Sequence, residues 1–501
     1  MRKINNNCNS NRSLLCQNPV SGKAYIQRLK LKIQKYCSFG FIFLVYIISG
    51  CNKLVNIPEP INSLTASETF STDANATNAI MGIYSYMSQN PSFSSFYTTK
   101  FPGLSSDELT DQTDVAASGD YYLSNTLTAI QISNSIPLSG FWQPAYFDIY
   151  NANAVVSGLQ ASKTVTITTR NQLTGEAKFI RAFCYFYLTN IFGDVPLVLT
   201  SDFNQTALMA KTPQTLVYQQ IVEDLRDAQN LMISDFSLSG GEHIRANKWA
   251  ATALLARVYM YQKNWLGADS AASAVINSGN YTLVDLDKAF LMNNNESILQ
   301  LQTLDTYPWA TSEGNDFVPP DNTSSPNDVW LTSQLLASFE SGDQRRLAWV
   351  DSTVFNGTVY YLPFKYKVMQ GASGNITEYY TLLRLAEQYL IRAEARAQEV
   401  KPNLIGAIDD LNTIRTRAGL DSLSSSLTQP EIIVAIEQER RIEFFCEWGH
   451  RCLDLKRWGT AVQTLDTISY KTGNINSNQL LYPIPLSEIQ TDPNLKQNPG
   501  Y

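Results

Sequence analysis

The sequence is short of histidine and of charge. His243 and His450 are the two histidines among 501 residues, and charged residues make up 17% of the chain. Two histidines cannot supply a zinc-type cluster, and no Ser-His-acid arrangement is evident, so these classes of active site are excluded. Basic residues are also outnumbered, with 38 lysines and arginines against 45 acidic residues and a net charge of −7. A net acidic chain disfavours nucleic-acid binding.

Cysteines are too poorly spaced to predict a disulfide framework or a metal site. Three of the seven lie in a basic leader, which leaves Cys51, Cys184, Cys446 and Cys452. Cys446 and Cys452 are six residues apart, so one helix would point them to different faces. No pair has the spacing of zinc ligands or of a redox dithiol. We therefore expect the three cysteines after Cys51 to be small core residues.

Long apolar runs are absent too. The run from Phe39 to Ile48 is ten residues long, which is too short to span a bilayer of roughly 30 Å as a helix. The first fifty residues hold eight basic residues and no acidic one, and small residues follow the run. This layout predicts a secretory signal over residues 1–50. Its removal leaves 30 basic against 45 acidic residues, a net charge of −15.

The end of the apolar run has the pattern of a bacterial lipobox. Ile48, Ser49 and Gly50 precede Cys51, and small side chains before the cysteine let the extended peptide enter a protease cleft. The Cys51 thiol would then form the thioether that carries acyl chains, and several chains hold a soluble body firmly to a membrane. The alternative is an ordinary signal in which Cys51 is incidental. Residues 51–69 are predicted to form a tether, since Pro58 and Pro60 block regular structure.

The rest of the chain has mainly helical periodicity. Helices are predicted over Thr72–Met87, over Glu176–Ile191 and from Thr212-Pro213 to about Leu231. Two later segments have the spacing of tetratricopeptide helix pairs, in which small residues let two helices approach and aromatics fill the seam. The residues of this pattern are Ala256, Tyr259, Trp265 and Ala268, then Ala395, Ala407, Leu411 and Ile414. The predicted fold is mainly α, with a tetratricopeptide-like scaffold and long irregular loops.

Two long loops, residues 91–137 and 303–330, carry aromatic side chains. Such loops in a compact protein are functional or disordered, and their aromatics argue against disorder. Aromatic faces pack against the C–H faces of sugar rings while polar neighbours bond the hydroxyls. The candidate ligand-binding residues are Tyr307 and Trp309, followed by Phe96 and Tyr97. The alternative is that these rings pin the loops to the scaffold.

Acidic residues near the C-terminus and in the first loop allow two further hypotheses. Glu439 and Glu443 lie four residues apart in a helix, as an acid and base pair would, but flanking arginines would lower both pKa values. A structural ion network is the favoured interpretation. The loop acids lack the spacing of a calcium loop, so no metal is expected there. They are Asp107, Glu108, Asp111 and Asp114.

Several motifs together resemble one family. They are "EAKFIRAFCYFYLTNIFGDVPLV" (176–198), "RLAEQYLIRAEARA" (384–397), "LNTIRTRAGL" (411–420), "ERRIEFFCEWGHRCLDLKRWG" (439–459) and "YPIPLSEIQTDPNLKQNPGY" (482–501). Their order is similar to that of the SusD/RagB family of surface lipoproteins from glycan-foraging Gram-negative bacteria. The resemblance implies helical regions over 70–300 and 301–501. It also implies a structural role for His450, which lies inside one motif.

The resemblance further implies a function. It is the capture of an oligosaccharide at the outer membrane, without catalysis or cofactor, by a lipid-anchored protein facing the cell surface. The implied partner is a SusC-like TonB-dependent transporter, over which the lipoprotein acts as a lid. Two alternatives stay open: a peptide receptor on the same scaffold, and a glycoside hydrolase with two carboxylates. No acidic pair stands in a recognisable active-site motif, which disfavours the hydrolase.

Overall fold

Helices form most of the computed structural model, which describes residues 66–88, 93–111, 136–303, 309–327, 329–369, 375–469, 471 and 475–501. The helices before residue 300 are α1 (Ala66–Thr69), α2 (Asp73–Ser88), α3 (Tyr97–Ser105), α4 (Ile136–Ala161), α5 (Ile167–Phe192), α6 (Phe203–Thr206), α7 (Gln214–Leu231), α8 (Lys248–Tyr261) and α9 (Trp265–Ile276). A 3-10 turn covers Ser237–Ser239.

The later part of the chain alternates short and long helices. They are α10 (Ser312–Phe317), α11 (Ser333–Leu336), α12 (Arg345–Ala348), α13 (Leu385–Gln398), α14 (Leu404–Arg417), α15 (Gln429–Glu443), α16 (His450–Trp458), α17 (Ala461–Asp466) and α18 (Leu486–Thr491), with a 3-10 turn at Ser477–Leu480. Among the described helices, none combines the length and the apolar composition needed to cross a membrane. The prediction of a mainly α fold is confirmed.

Strands occur in three antiparallel pairs. β1 (Leu109–Asp111) pairs with β3 (Val329–Leu331), β2 (Ser297–Leu301) with β6 (Tyr380–Arg384), and β4 (Val350–Phe355) with β5 (Thr358–Pro363). The first pair joins the two loop regions that carry the predicted aromatics. The second spans the predicted boundary at residue 300, so both predicted regions share one small sheet.

The core is built around α5, which packs between α4 and α7. Most of its residues from Glu176 to Phe192 are buried on every side, as its apolar sequence predicts. The helix begins at Ile167, nine residues before the predicted start, because Thr166 caps it by accepting a hydrogen bond from the amide of Thr169. It ends at Gly193, whose φ of 77° suits glycine. The polar first turns give no apolar signal, so the sequence analysis missed them.

The two predicted tetratricopeptide-like units are confirmed as the helical hairpins α8–α9 and α13–α14. Their turns are built alike. Asn264 accepts a hydrogen bond from the amide of Gly267, and Asn403 accepts one from the amide of Gly406. A Cβ at Gly267 would lie 2.7 Å from Nδ2 of Asn264, so a larger residue there would displace the capping side chain. Because α9 packs against α13, the two hairpins stack into one scaffold.

Candidate ligand-binding cleft

An open cleft of about 450 Å³ lies between the segment after α10 and the β4–β5 hairpin. This volume is within the range of about 300–1,000 Å³ for small-molecule sites. One part of its lining is apolar and another is polar, which suits a ligand with both kinds of surface. The cleft is lined by Val318, Pro319, Asp321, Asn322, Asp351, Ser352, Leu362, Phe364, Lys367, Val368 and Met369.

The β4–β5 hairpin forms one wall of the cleft. Its strands are joined by Asn356 and Gly357, whose φ angles of 50° and 78° are those of a type I′ turn. This turn fixes the register, so Asp351 lies directly opposite Leu362. The hairpin thereby places a carboxylate next to an apolar side chain at the edge of the cleft.

A second wall is the segment from Phe364 to Met369, which follows directly after β5. The buried carboxylate of Glu378 holds its backbone, accepting hydrogen bonds from the amides of Lys367 at 2.7 Å and Val368 at 3.2 Å. The Lys367 ammonium lies 5.5 Å from the centroid of the Phe364 ring. This wall therefore offers a half-buried aromatic ring beside a positive charge.

The mouth of the cleft also carries an ionised carboxylate. Asp321 accepts hydrogen bonds from the amide and the hydroxyl of Thr323, at 2.8 Å and 2.7 Å. These bonds lower the pKa of Asp321, so the exposed group is negatively charged at neutral pH. With Asp351 and Lys367, both signs of charge are available to a polar ligand.

The helix α10 that leads into the cleft is fastened to the scaffold by Glu313. Oε1 of this buried side chain accepts hydrogen bonds from the hydroxyls of Thr99 and Tyr380. Burial raises the pKa of Glu313 to about 8. Thr99 also accepts a hydrogen bond of 3.1 Å from the amide of Trp448, in the "FFCEWGH" motif. The motif therefore positions both α3 and α10.

The structure places the predicted aromatics in different environments. Tyr97 is half-buried against Phe101 and Phe141, with ring centroids 5.2 Å and 6.1 Å away. Burial, and then the nearby Asp316, raise the pKa of Tyr97. Trp309 is also half-buried and has a φ of 56°, which costs a non-glycine residue about 1–3 kcal/mol.

Phe96 requires a correction. It is 3% exposed and packs edge-on against Phe317 at 5.2 Å, so its ring offers no open face and pins the loop instead. The apolar environment between α3 and α10 accounts for this burial. Tyr307 and Cys51 lie outside the described residues, so their predicted roles stay predictions.

The cleft residues on the hairpin were missed by the sequence analysis. Asp351 and Ser352 lie beyond residue 330, where the second predicted loop ends. A signal was nevertheless present, because "VFNGTV" has Asn-Gly between two strand-forming runs, which is the strongest short-range indication of a hairpin. Predicting that hairpin would also have placed Asp351 on its first strand.

Glu439 and Glu443 form the predicted ion network. Arg345 bonds Glu439 at 2.5 Å and Glu443 at 3.0 Å, and Arg384 bonds Glu443 at 2.5 Å. Burial would raise the pKa of Glu443, but Arg417, Arg384 and Arg345 together hold it well below its usual value. For Glu439 burial prevails and its pKa is raised, so the prediction of two lowered values was wrong for this residue.

Other polar residues singled out in the sequence serve the scaffold. His450 is buried against Phe444 at 4.7 Å, and burial holds its pKa well below the usual value. Asp107 accepts hydrogen bonds from Arg441 and Arg451, each at 2.7 Å. His243 stacks on Phe236 at 4.0 Å. Cys184 and Cys446 are buried, as expected, whereas Cys452 is only partly buried and the prediction of a core residue was wrong there.

Comparison with known proteins identifies the scaffold. The pattern of the SusD family matches residues 345–501. A second pattern, described as starch-binding associating with outer membrane, matches residues 64–260. The chain belongs to the SusD/RagB family.

The SusD-like chain is similar to relatives over nearly its whole length. SusD-like protein P2 of Formosa agariphila is 29% identical over 94% of this chain and 100% of its own. A SusD superfamily protein from Bacteroides vulgatus has a TM-score of 0.75 at 24% identity, covering 86% of this chain and 99% of that one. Surface glycan-binding protein A from Bacteroides fluxus has a TM-score of 0.69 at 25% identity, covering 86% and 100%.

Proposed function

We propose that this SusD-like protein is a non-catalytic receptor that captures oligosaccharides in the cleft between residues 318 and 369. The observation that carries the proposal is the composition of the cleft. Phe364, Val318 and Met369 are partly exposed and provide apolar contact, and Asp321 and Asp351 provide acceptors for hydroxyl groups. Sugars require this combination, because their rings have apolar C–H faces and polar edges.

The loop aromatics extend the proposed site. Trp309 and Tyr97 are half-buried, so each retains part of a ring for a ligand, and Tyr307 is proposed as a third contact. Phe96 supports Tyr97, since its buried ring lies between Tyr97 and Phe317, with ring centroids 6.4 Å and 5.2 Å away. The similarity to a surface glycan-binding protein supports this assignment.

The absence of catalysis is part of the proposal. Glu439 and Glu443 are engaged by arginines, which leaves neither free to transfer a proton to a substrate. A retaining or inverting glycosidase needs two carboxyl groups on either side of a bound sugar. Incubation with a glycan panel should therefore give binding without shortened products, and product release would refute this part.

The proposed location is the outer membrane, with acyl chains on Cys51 and the body facing the cell surface. The match to the family described as starch-binding associating with outer membrane supports this location. In the proposed cycle, captured glycan passes to a SusC-like TonB-dependent transporter. Labelled palmitate should be incorporated into the wild type and not into Cys51→Ala, and equal labelling would refute the anchor.

Calorimetry tests the glycan site. We expect titration of neutral gluco-oligosaccharides to show binding to the wild type, and Trp309→Ala to weaken it about tenfold, which corresponds to about 1.4 kcal/mol. Leu266→Ala is the control, because Leu266 is 73% exposed on α9 and outside the cleft. Unchanged affinity in Trp309→Ala would remove this residue from the site.

A peptide ligand is the second candidate, since Asp321 and Asp351 would also attract basic side chains. The two hypotheses differ in their salt dependence. Binding of a basic peptide should weaken as salt rises, whereas binding of a neutral glycan should not. A side-by-side titration at low and high salt separates them.

A further inference from the structure

A second pocket, of about 360 Å³, lies between α4, the segment 196–209 and the C-terminal segment that starts with α18. It shares no residue with the cleft. We call it the acidic pocket. Its residues are Trp142, Gln143, Tyr146, Phe147, Pro196, Val198, Thr206, Ala207, Met209, Glu488, Thr491, Asp492 and Leu495.

Two carboxylates give the acidic pocket its charge. Oε1 of Glu488 accepts a hydrogen bond of 3.2 Å from Gln143, and Oδ1 of Asp492 accepts one of 2.8 Å from the amide of Asn494. Asp492 is 9% exposed. Among the residues that the structure describes, none donates a hydrogen bond to the second oxygen of either carboxylate, and no lysine or arginine lines the pocket. The site is therefore negative without an internal counter-charge.

Aromatic rings lie beside these carboxylates. The half-buried Tyr146 packs in front of the buried Trp142, with ring centroids 4.9 Å apart, and Phe147 follows on the exposed side of α4. Rings of this kind attract an ammonium or guanidinium group through their negative faces. Aromatic and carboxylate groups together favour a cation over a neutral or anionic ligand.

The pocket is held rigidly. The hydroxyl of Tyr146 donates a hydrogen bond of 2.9 Å to the carbonyl of Pro196. Nδ2 of Asn494 donates one of 2.9 Å to the carbonyl of Leu208. These bonds tie the segment 196–209 to α4 on one side and to the C-terminal segment on the other. A ligand would therefore meet a preformed site, which reduces the entropy lost on binding.

Exposed apolar side chains surround the acidic pocket. Each is a lining residue or lies within a few residues of one. They are Phe147 (46% exposed), Tyr150 (51%), Leu199 (43%), Phe203 (76%) and Leu208 (55%). Apolar patches of this kind, rimmed by polar groups, mark interaction surfaces with proteins or membranes. A free small cation would leave this rim uncovered, so the occupant carries apolar groups around its charge.

The negative charge of the acidic pocket favours a protein partner over a membrane. Anionic lipid headgroups would be repelled by Glu488 and Asp492, and no basic residue of the lining would attract them. We propose that this face docks a protein partner that inserts a lysine or arginine side chain, flanked by apolar residues, into the acidic pocket. Arginine is enriched at protein interfaces and is among the residues that most often carry the binding energy, so a basic side chain with apolar neighbours suits this face. The proposal does not depend on glycan binding.

A matched pair of labelled peptides tests the proposal. One has a central arginine flanked by leucines, and the other has citrulline, which is uncharged and nearly the same shape, in place of the arginine. Fluorescence polarisation with the full-length protein should show the arginine peptide binding at least about tenfold more tightly than the citrulline peptide. Equal binding of the two, or no binding of the arginine peptide up to millimolar concentration, would overturn it.

Variants locate the interaction. Glu488→Gln should remove the preference for arginine, and Phe147→Ala should weaken both peptides about equally, because Phe147 contributes apolar contact. Leu266→Ala is the control, as it removes an even more exposed apolar side chain from α9, outside the acidic pocket. A preference retained in Glu488→Gln, or lost in Leu266→Ala, would refute the assignment. Anionic vesicles that bind the wild type and not Phe147→Ala would refute the protein partner in favour of a membrane.

Discussion

Tyr380 donates a hydrogen bond of 2.8 Å from its hydroxyl to Oε1 of Glu313, 67 residues away in the chain. Tyr380 belongs to β6 and Glu313 to α10, the helix that leads into the cleft. Both side chains are buried, and Thr99 of α3 donates to the same oxygen. The protonation of one carboxyl group is therefore linked to the packing of the loops around the proposed ligand site.

This link predicts that the stability of the folded protein depends on pH. The pKa of Glu313 is raised by burial from 4.5 to about 8, so the folded protein keeps a proton that the unfolded chain loses. Its contribution to stability is fully present below pH about 4.5 and is lost as the pH rises to about 8. Glu313→Gln keeps the acceptor oxygen and cannot ionise. The melting temperature of the variant should fall less steeply between pH 5 and 9 than that of the wild type.

Asp409→Asn provides the control for this experiment, because Asp409 is an exposed carboxylate on α14. Its slope should match that of the wild type. An unchanged slope in Glu313→Gln would contradict the linkage.

Glu443→Gln should destabilise the protein strongly. The change leaves Arg384, Arg345 and Arg417 short of a buried counter-charge, which costs about 3–5 kcal/mol in comparable cases. Denaturant unfolding measures the loss. Glu340→Gln removes a partly exposed partner of Arg415 and should cost about 1 kcal/mol or less. Equal losses of stability in the two variants would show that burial does not increase the contribution of the ion network.

Phe364→Ala and Asp351→Asn should each lower glycan affinity about tenfold, through lost ring contact and a lost charged acceptor respectively. Val354→Ala tests the same hairpin at a position that is 48% exposed and outside the cleft lining. Calorimetry should show wild-type affinity for Val354→Ala. Weakening there equal to that in Phe364→Ala would indicate that hairpin stability, and not direct contact, controls affinity.

Asn264→Ala and Asn403→Ala should each cost about 1 kcal/mol of stability, because each removes the side-chain cap of a helix in the two repeated hairpins. Chemical denaturation measures the change. Ser270→Ala on the exposed side of α9 should cost nothing, since alanine is a better helix former. A neutral result at one asparagine alone would show that the two turns are not energetically equivalent.

The scaffold could be predicted from the sequence because its helices carry periodic patterns. Thr428 and Glu431, three residues apart, form a capping box, and Ala256, Ala268 and Ala395 lie buried in the stacked hairpins. These features depend on residues close together in the chain, which is where sequence patterns are informative.

The candidate site was harder to predict because it joins distant segments. β1 and β3 have three residues each, too few for a strand period, yet their pairing brings the two loops together. Phe96 and Tyr97 are adjacent and equally aromatic, but one is buried and the other half-buried. Composition alone does not distinguish such neighbours, since the packing of α10 against α3 decides the outcome.

The type I′ turn at Asn356 and Gly357 closes the β4–β5 ladder, which also contacts the segment 322–324 through the amide of Val354 and the hydroxyl of Thr353. The outward side chains of this arm can change while the backbone bonds that hold it stay the same. If the arm binds ligand as proposed, exchanging its residues 350–363 is expected to change the ligand without changing the scaffold. Grafting this arm between two relatives with the same scaffold is a direct way to move ligand preference from one to the other.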